Sequence, residues 1–151
     1  MRRYRKTWIL LLIIVFVIQF IQPKKNTSRG ISENDISKVY AMPSGVHQTF
    51  TQKCYDCHSN NTRYPWYYNV QPIGWWLAAH VYDAKENLNF SEFRTYRDDK
   101  AKHKLEEIVE MVEKRSMPLK TFVMMHPETE ITPEDEKAIH SWISTLLKTE
   151  D

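Results

Sequence analysis

Two cysteines three residues apart, followed at once by a histidine, constrain this 151-residue chain more than any other feature. Cys54-Tyr55-Asp56-Cys57-His58 holds the only cysteines of the protein, so the fold must bring two thiols and an imidazole to one place. The surrounding pattern is helical. Pro43-Ser44 opens a helix with Val46, Phe50 and Cys54 at a spacing of four, ending near His58 at the turn-forming Ser59-Asn60-Asn61-Thr62. A second helix is expected from Pro72 to about Leu88, and a third from about Asp98 to Arg115 with the stripe Ala101, Leu105, Ile108, Val109 and Val112. A fourth starts at Thr132 as N-cap with Pro133, Glu134 and Asp135 behind it, and buries Ile139, Trp142, Ile143 and Leu146. Only 3 Gly are present against 7 Pro, which argues against a hairpin-rich β-sandwich or barrel. The expected fold class is all-α.

The N-terminus reads as a membrane anchor. Arg2, Arg3, Arg5 and Lys6 precede an apolar run from Trp8 to Phe20, interrupted only by Gln19 and followed by Lys24 and Lys25. Positive charge ahead of an apolar segment is an export signature. It predicts one N-terminal transmembrane helix within residues 1–23 and a polar linker over 24–42. The helical domain, 43–151, would then lie on the periplasmic side of the inner membrane, with the N-terminus in the cytoplasm. A cleaved leader would need a small-x-small site after the run, and Gln-Pro-Lys-Lys-Asn-Thr-Ser-Arg offers none. Residues 1–25 hold six of the 21 basic residues and no acid, so the remainder carries 15 basic against 19 acidic groups. A nucleic-acid partner, which needs a basic patch on the folded part, is therefore not expected.

The spacing C-x-x-C-H is the attachment signature of a c-type haem. Two thiols three residues apart near a helix end can each add to one vinyl group on the same porphyrin edge, and the next imidazole is held beneath the iron. Three other readings compete. A disulfide across this gap closes a tiny loop and makes a poor staple. A thioredoxin-like pair wants a βαβ setting. Zinc wants four ligands, and no second Cys or His cluster has suitable spacing.

The tract from Cys54 through His58, Arg63, Pro65, Trp66 and Tyr67, then Trp76 with His80, Asn89-Phe-Ser91, Met117-Pro118 and His126-Pro127, resembles the bacterial haem-binding domain family. These are small exported domains with one C-x-x-C-H, similar to class I cytochrome c. The resemblance covers roughly residues 43–147 and implies one covalently attached haem c and a cytochrome c-like helical fold.

Iron held by His58 needs a second axial ligand or an open face. Met117 is the leading candidate, a soft thioether just beyond the third helix. His80, on the inner face of the second helix, is the main rival, and His126 is a further alternative as axial or distal group. Arg63 is a candidate partner for a propionate, and Trp66, Tyr67 and Trp76 are candidate porphyrin walls. Met111 reads as packing, and His47, His103 and His140 as surface residues. Two functions follow. One is a membrane-anchored single-electron carrier steered by its acidic surface towards a redox protein. The other is a peroxidase-like enzyme or haem sensor with an open distal position.

Overall fold

Phe50 has no solvent exposure and lies where the main helices meet. The computed structural model describes residues 2–149, and every element among them is helical. Helix α1 spans Arg2–Ile18, α2 Ile36–Val39, α3 Ser44–Lys53, α4 Tyr55–His58, α5 Ile73–Asn87, α6 Asp98–Glu113, α7 Lys120–Met125 and α8 Pro133–Thr149. Short 3-10 turns at Trp66–Asn69, Phe90–Thr95 and Pro127–Thr129 connect them.

The core follows from the helical stripes. Ala101, Leu105, Ile108 and Val112 recur every three or four residues along α6 and are buried against Ile139, Trp142 and Ile143 of α8. Phe50 of α3 meets Phe90 at 5.1 Å and Trp142 edge-on at 5.7 Å. Burying an aromatic of this kind contributes about 1.5–3 kcal/mol. Helix α8 begins with a reciprocal cap: Asp135 N donates to Thr132 Oγ1 at 3.2 Å, and Thr132 N donates to Asp135 Oδ2 at 3.0 Å. The same carboxylate accepts from Lys53 Nζ at 2.6 Å and from Thr49 Oγ1 at 2.6 Å, which ties α3 to α8.

The structure departs from the sequence expectation in three places. The helix expected from Pro43 to His58 is broken at Cys54, whose φ of −121° lies far from the helical value. The amides of Cys57 and His58 both bond to the Cys54 carbonyl, at 3.2 and 3.0 Å, so a new turn starts from that residue. Residues 24–42, expected to be a tether, lie against the domain. Asp35 and Ile36 are almost fully buried, and the Asn26 side chain donates to Ser59 O and Thr62 Oγ1.

The third departure is the transmembrane helix, which the structure overturns. No helix among the described residues is long and apolar enough to cross a membrane. Helix α1 starts in charged residues, and only Thr7–Ile18 remain beyond Lys6. That stretch rises about 18 Å, against a hydrocarbon core of about 30 Å. The helix stops where Gln19 and Gln22 turn to the domain, Gln19 Nε2 donating to Gln71 O at 3.0 Å and Gln22 Nε2 to Asn69 O at 3.1 Å. The single-pass placement, with a cytoplasmic N-terminus and a periplasmic domain, falls with the span.

Candidate functional site

A cavity of about 720 Å³, part of it open to solvent, lies against the C-x-x-C-H turn. Cys54, Cys57 and His58 form one wall. Helix α5 supplies Trp76, Leu77, His80 and Ala84 from successive turns, α6 supplies Val112, and Met117, Pro118, Leu119 and Phe122 close the opposite stretch of chain with Ile131.

The two thiols are free and partly buried. Loss of solvation, reinforced by the neighbouring thiol, pushes Cys54 up to about 12 despite the nearby Lys53. Burial, with Asp56 close by, pushes Cys57 up to about 11. Neither thiol has the depressed pKa of a nucleophilic redox pair, and no βαβ unit surrounds them, so the thioredoxin-like reading has no support. Zinc fares no better, because no group of three or more His, Cys, Asp or Glu among the described residues is placed to hold a metal ion.

His58 is held in one tautomer. Its Nδ1 lies 3.0 Å from the Leu88 carbonyl oxygen, which can only accept, so Nδ1 carries the proton and Nε2 keeps its lone pair. Burial lowers the pKa of the ring, while bonds to the Leu88 and Ala84 carbonyls oppose that shift. A neutral imidazole with its second nitrogen tied to a backbone carbonyl is the usual form of a metal-ligating histidine. Phe90 packs edge-on to the ring at 5.9 Å.

The other candidates divide by position. Met117 and His80 both line the cavity. His80 Nδ1 lies 2.9 Å from the Trp76 carbonyl oxygen, which leaves its Nε2 available too. Trp76 walls the cavity and stacks obliquely on His80 at 4.2 Å. His126 is outside the cavity: Nε2 lies 2.6 Å from the Tyr67 hydroxyl, and Nδ1 lies 3.3 Å from Glu128 Oε1. Arg63 pairs with Asp56 through Nε and Nη2, both at 2.9 Å, and its Nη2 also donates to Gln52 O at the end of α3. Trp66 is 79% exposed.

Sequence reasoning missed several parts of the site. The Leu88 carbonyl carries no side-chain signal at all. Leu119, Phe122 and Ile131 sit on short or irregular segments without apolar periodicity. Tyr55, inside the motif, donates to Asp35 Oδ1 at 2.8 Å and so anchors the turn to the segment ahead of it.

The lining suits a flat, largely apolar group with one metal centre: two free thiols, the imidazoles of His58 and His80, each with an available Nε2, and walls of Leu, Val, Trp and Phe. A family model described as a haem-binding domain matches residues 13–145. No curated protein and no solved structure matches the chain.

Proposed function

The chain belongs to the haem-binding domain family, and from that premise we propose that it is a monohaem, class I cytochrome c-like carrier of single electrons, its haem bonded to Cys54 and Cys57. Haem binding follows from the family. The observation that carries the finer reading is the meeting of both free thiols and the Leu88-tied His58 on one apolar cavity.

Haem bound there supplies an iron that changes between ferrous and ferric by one electron. Each thiol would add its S–H across a vinyl C=C, forming a thioether with no net gain or loss of electrons. Burial favours the neutral ring of His58 and its bond to Leu88 holds the proton on Nδ1, so that Nε2 would be the atom to hold the iron. Leu77, Val112 and Phe122 line the cavity and would limit the water around the group, which would disfavour the more highly charged ferric state. Met117, on the cavity wall, would hold the iron through its thioether, a soft donor that would favour the ferrous state in the same direction. Beyond Lys25 the chain carries four more acidic than basic groups, 19 against 15. That excess steers it towards a basic patch on a redox protein.

A second reading rests on His80, whose Nε2 is available in the same cavity. As distal ligand it would give a bis-histidine site. As an unligated polar group above an open position it would suit a peroxidase-like enzyme or a sensor.

Mass measurement after acid–acetone extraction tests the attachment. The chain should retain the increment of one porphyrin and lose it in Cys54→Ser/Cys57→Ser. The optical spectrum should be low-spin and six-coordinate, and Met117→Ala should abolish the methionine-to-iron band. If the band survives and His80→Ala removes low-spin character, His80 is the ligand. A ferrous form that binds carbon monoxide overturns the carrier in favour of the enzyme or sensor.

A further inference from the structure

From Trp8 onward helix α1 is apolar around its whole circumference, and the fold does not cover it. From Trp8 to Val17 every side chain is 46–66% exposed. A helix that is apolar all round is normally buried in something. Its end is also firmly seated. Gln71, only 2% exposed, donates through N to Gln19 Oε1 at 2.9 Å and through Nε2 to Gln22 Oε1 at 2.9 Å, while Trp75 Nε1 donates to Ile21 O at 2.8 Å. Around this clasp Phe20, Ile21, Trp66, Val70 and Ile73 are exposed as well. Ile73 shares its face of α5 with Trp76, three residues on, and Trp76 is half exposed and walls the cavity. The apolar surface thus runs from α1 through the clasp to the cavity mouth, far beyond the scattered exposed side chains of an ordinary surface.

Charge decides what covers it. Arg5 and Lys6 are exposed ahead of the apolar stretch, Lys24 and Lys25 are exposed behind it, and no acid occurs in the first 25 residues. A second copy laid against α1, parallel or antiparallel, would set cations against cations at both ends. An anionic lipid surface presents phosphates to both. We propose that α1 and the Trp66–Ile73 shelf form a lipid-facing surface, with the apolar part of α1 sunk just beneath the phosphates of an anionic membrane without crossing it. Its length, about 18 Å from Thr7 to Ile18, and its two cationic ends keep both termini at headgroup level. This surface stands whether or not the cavity holds haem.

The full-length chain should co-sediment with vesicles of phosphatidylcholine containing one-quarter phosphatidylglycerol about tenfold more strongly than with phosphatidylcholine alone. Salt at about 0.5 M should reverse most of that gain. Ile14→Glu, in the middle of α1, and Ile73→Glu, on the shelf, should each weaken binding about tenfold. Neither side chain packs in the core, so circular dichroism and melting temperature should stay unchanged. Equal binding to neutral and anionic vesicles, or binding untouched by Ile73→Glu, overturns the proposal. So does a chain that ignores vesicles and forms a dimer which Ile14→Glu returns to monomer, because α1 then belongs to a second copy. An N-terminal tag shielded from protease inside sealed vesicles would show a crossing helix and overturn it as well.

Discussion

The Nδ1 of His58 and the carbonyl oxygen of Leu88, thirty residues further along the chain, lie 3.0 Å apart. Leu88 is the C-cap of α5, and the last carbonyls of a helix have no partner within it. The imidazole satisfies one of them, and the helix end in turn fixes which nitrogen of His58 faces the cavity. The end of α5 and the C-x-x-C-H turn are thereby one unit.

His58→Ala removes both sides of that arrangement. It leaves the Leu88 carbonyl short of a donor, at a cost of about 1–3 kcal/mol, to be read as a lower urea midpoint with unchanged slope. It also removes the Nε2 lone pair, so the low-spin absorption of the haem-loaded protein should disappear. A spectrum unchanged by the substitution would take His58 out of the ligand set.

Acid should release α3 from α8. Burial on its own would raise the Asp135 carboxyl, but the hydrogen bonds from Lys53, Thr49 and Thr132 outweigh it and hold the group well below the usual carboxylate range. A carboxyl with a depressed folded-state pKa stabilises the fold above its unfolded value, about 3.9. That stabilisation is lost as pH falls below it, because protons then favour the unfolded chain. Stability should therefore decline from about pH 4 downwards. Asp135→Asn should lower it by about 1.5–3 kcal/mol at pH 7 and flatten the acid limb. Urea melts at pH 7, 4 and 3 measure both.

How legible each part was in the sequence depended on the range of the interaction that made it. The start of α8 could be read because its cap is local: Thr132 and Asp135 bond to each other three residues apart. The stripe of α6 could be read for the same reason, and so could the thiols and imidazole of the motif, which are adjacent in the chain. The packing of residues 24–42 could not. Asp35 is buried because Tyr55, twenty residues away, donates to it, and nothing in the polar composition of that segment announces the partner. The apolar run before Lys24, short as it is, reads as an anchor from its flanking positive charge, because composition alone cannot show that Gln19 and Gln22 are taken up by Gln71 and Asn69. The Phe122 side of the cavity sits on a six-residue helix, too short to show a period.

The two described helical glycines should respond in opposite directions to alanine. A Cβ at Gly74 would lie 2.0 Å from the Tyr68 carbonyl oxygen and 2.7 Å from Gln71 Nε2. Tyr68 is itself 1% exposed and bonded through its hydroxyl to Pro23 O, so the backbone has nowhere to move. Gly74→Ala should cost at least about 1–3 kcal/mol and disturb the Gln71 clasp on α1. Gly45, in the first turn of α3, has nothing within 4 Å of the same position. There alanine should stabilise by about 0.5 kcal/mol. Paired thermal melts of the two variants compare the effects directly.

Arg115 sits in the left-handed region, with φ of 52°, at the turn that ends α6. The turn is held by the amides of Ser116 and Met117, which both bond to the Met111 carbonyl, at 2.9 and 3.2 Å. A side chain with a Cβ pays a conformational penalty at such a helix end, where glycine has none. Arg115→Gly should therefore raise stability by about 0.5–1 kcal/mol, or roughly 1–4 °C in melting temperature for a chain of this size. Because the hydrogen bonds that define the turn are made by backbone groups, Met117 should keep its place on the cavity wall. The haem spectrum should then be unchanged while the melting temperature rises. A variant that melts lower, or that alters the spectrum, would show that the arginine side chain itself holds the turn.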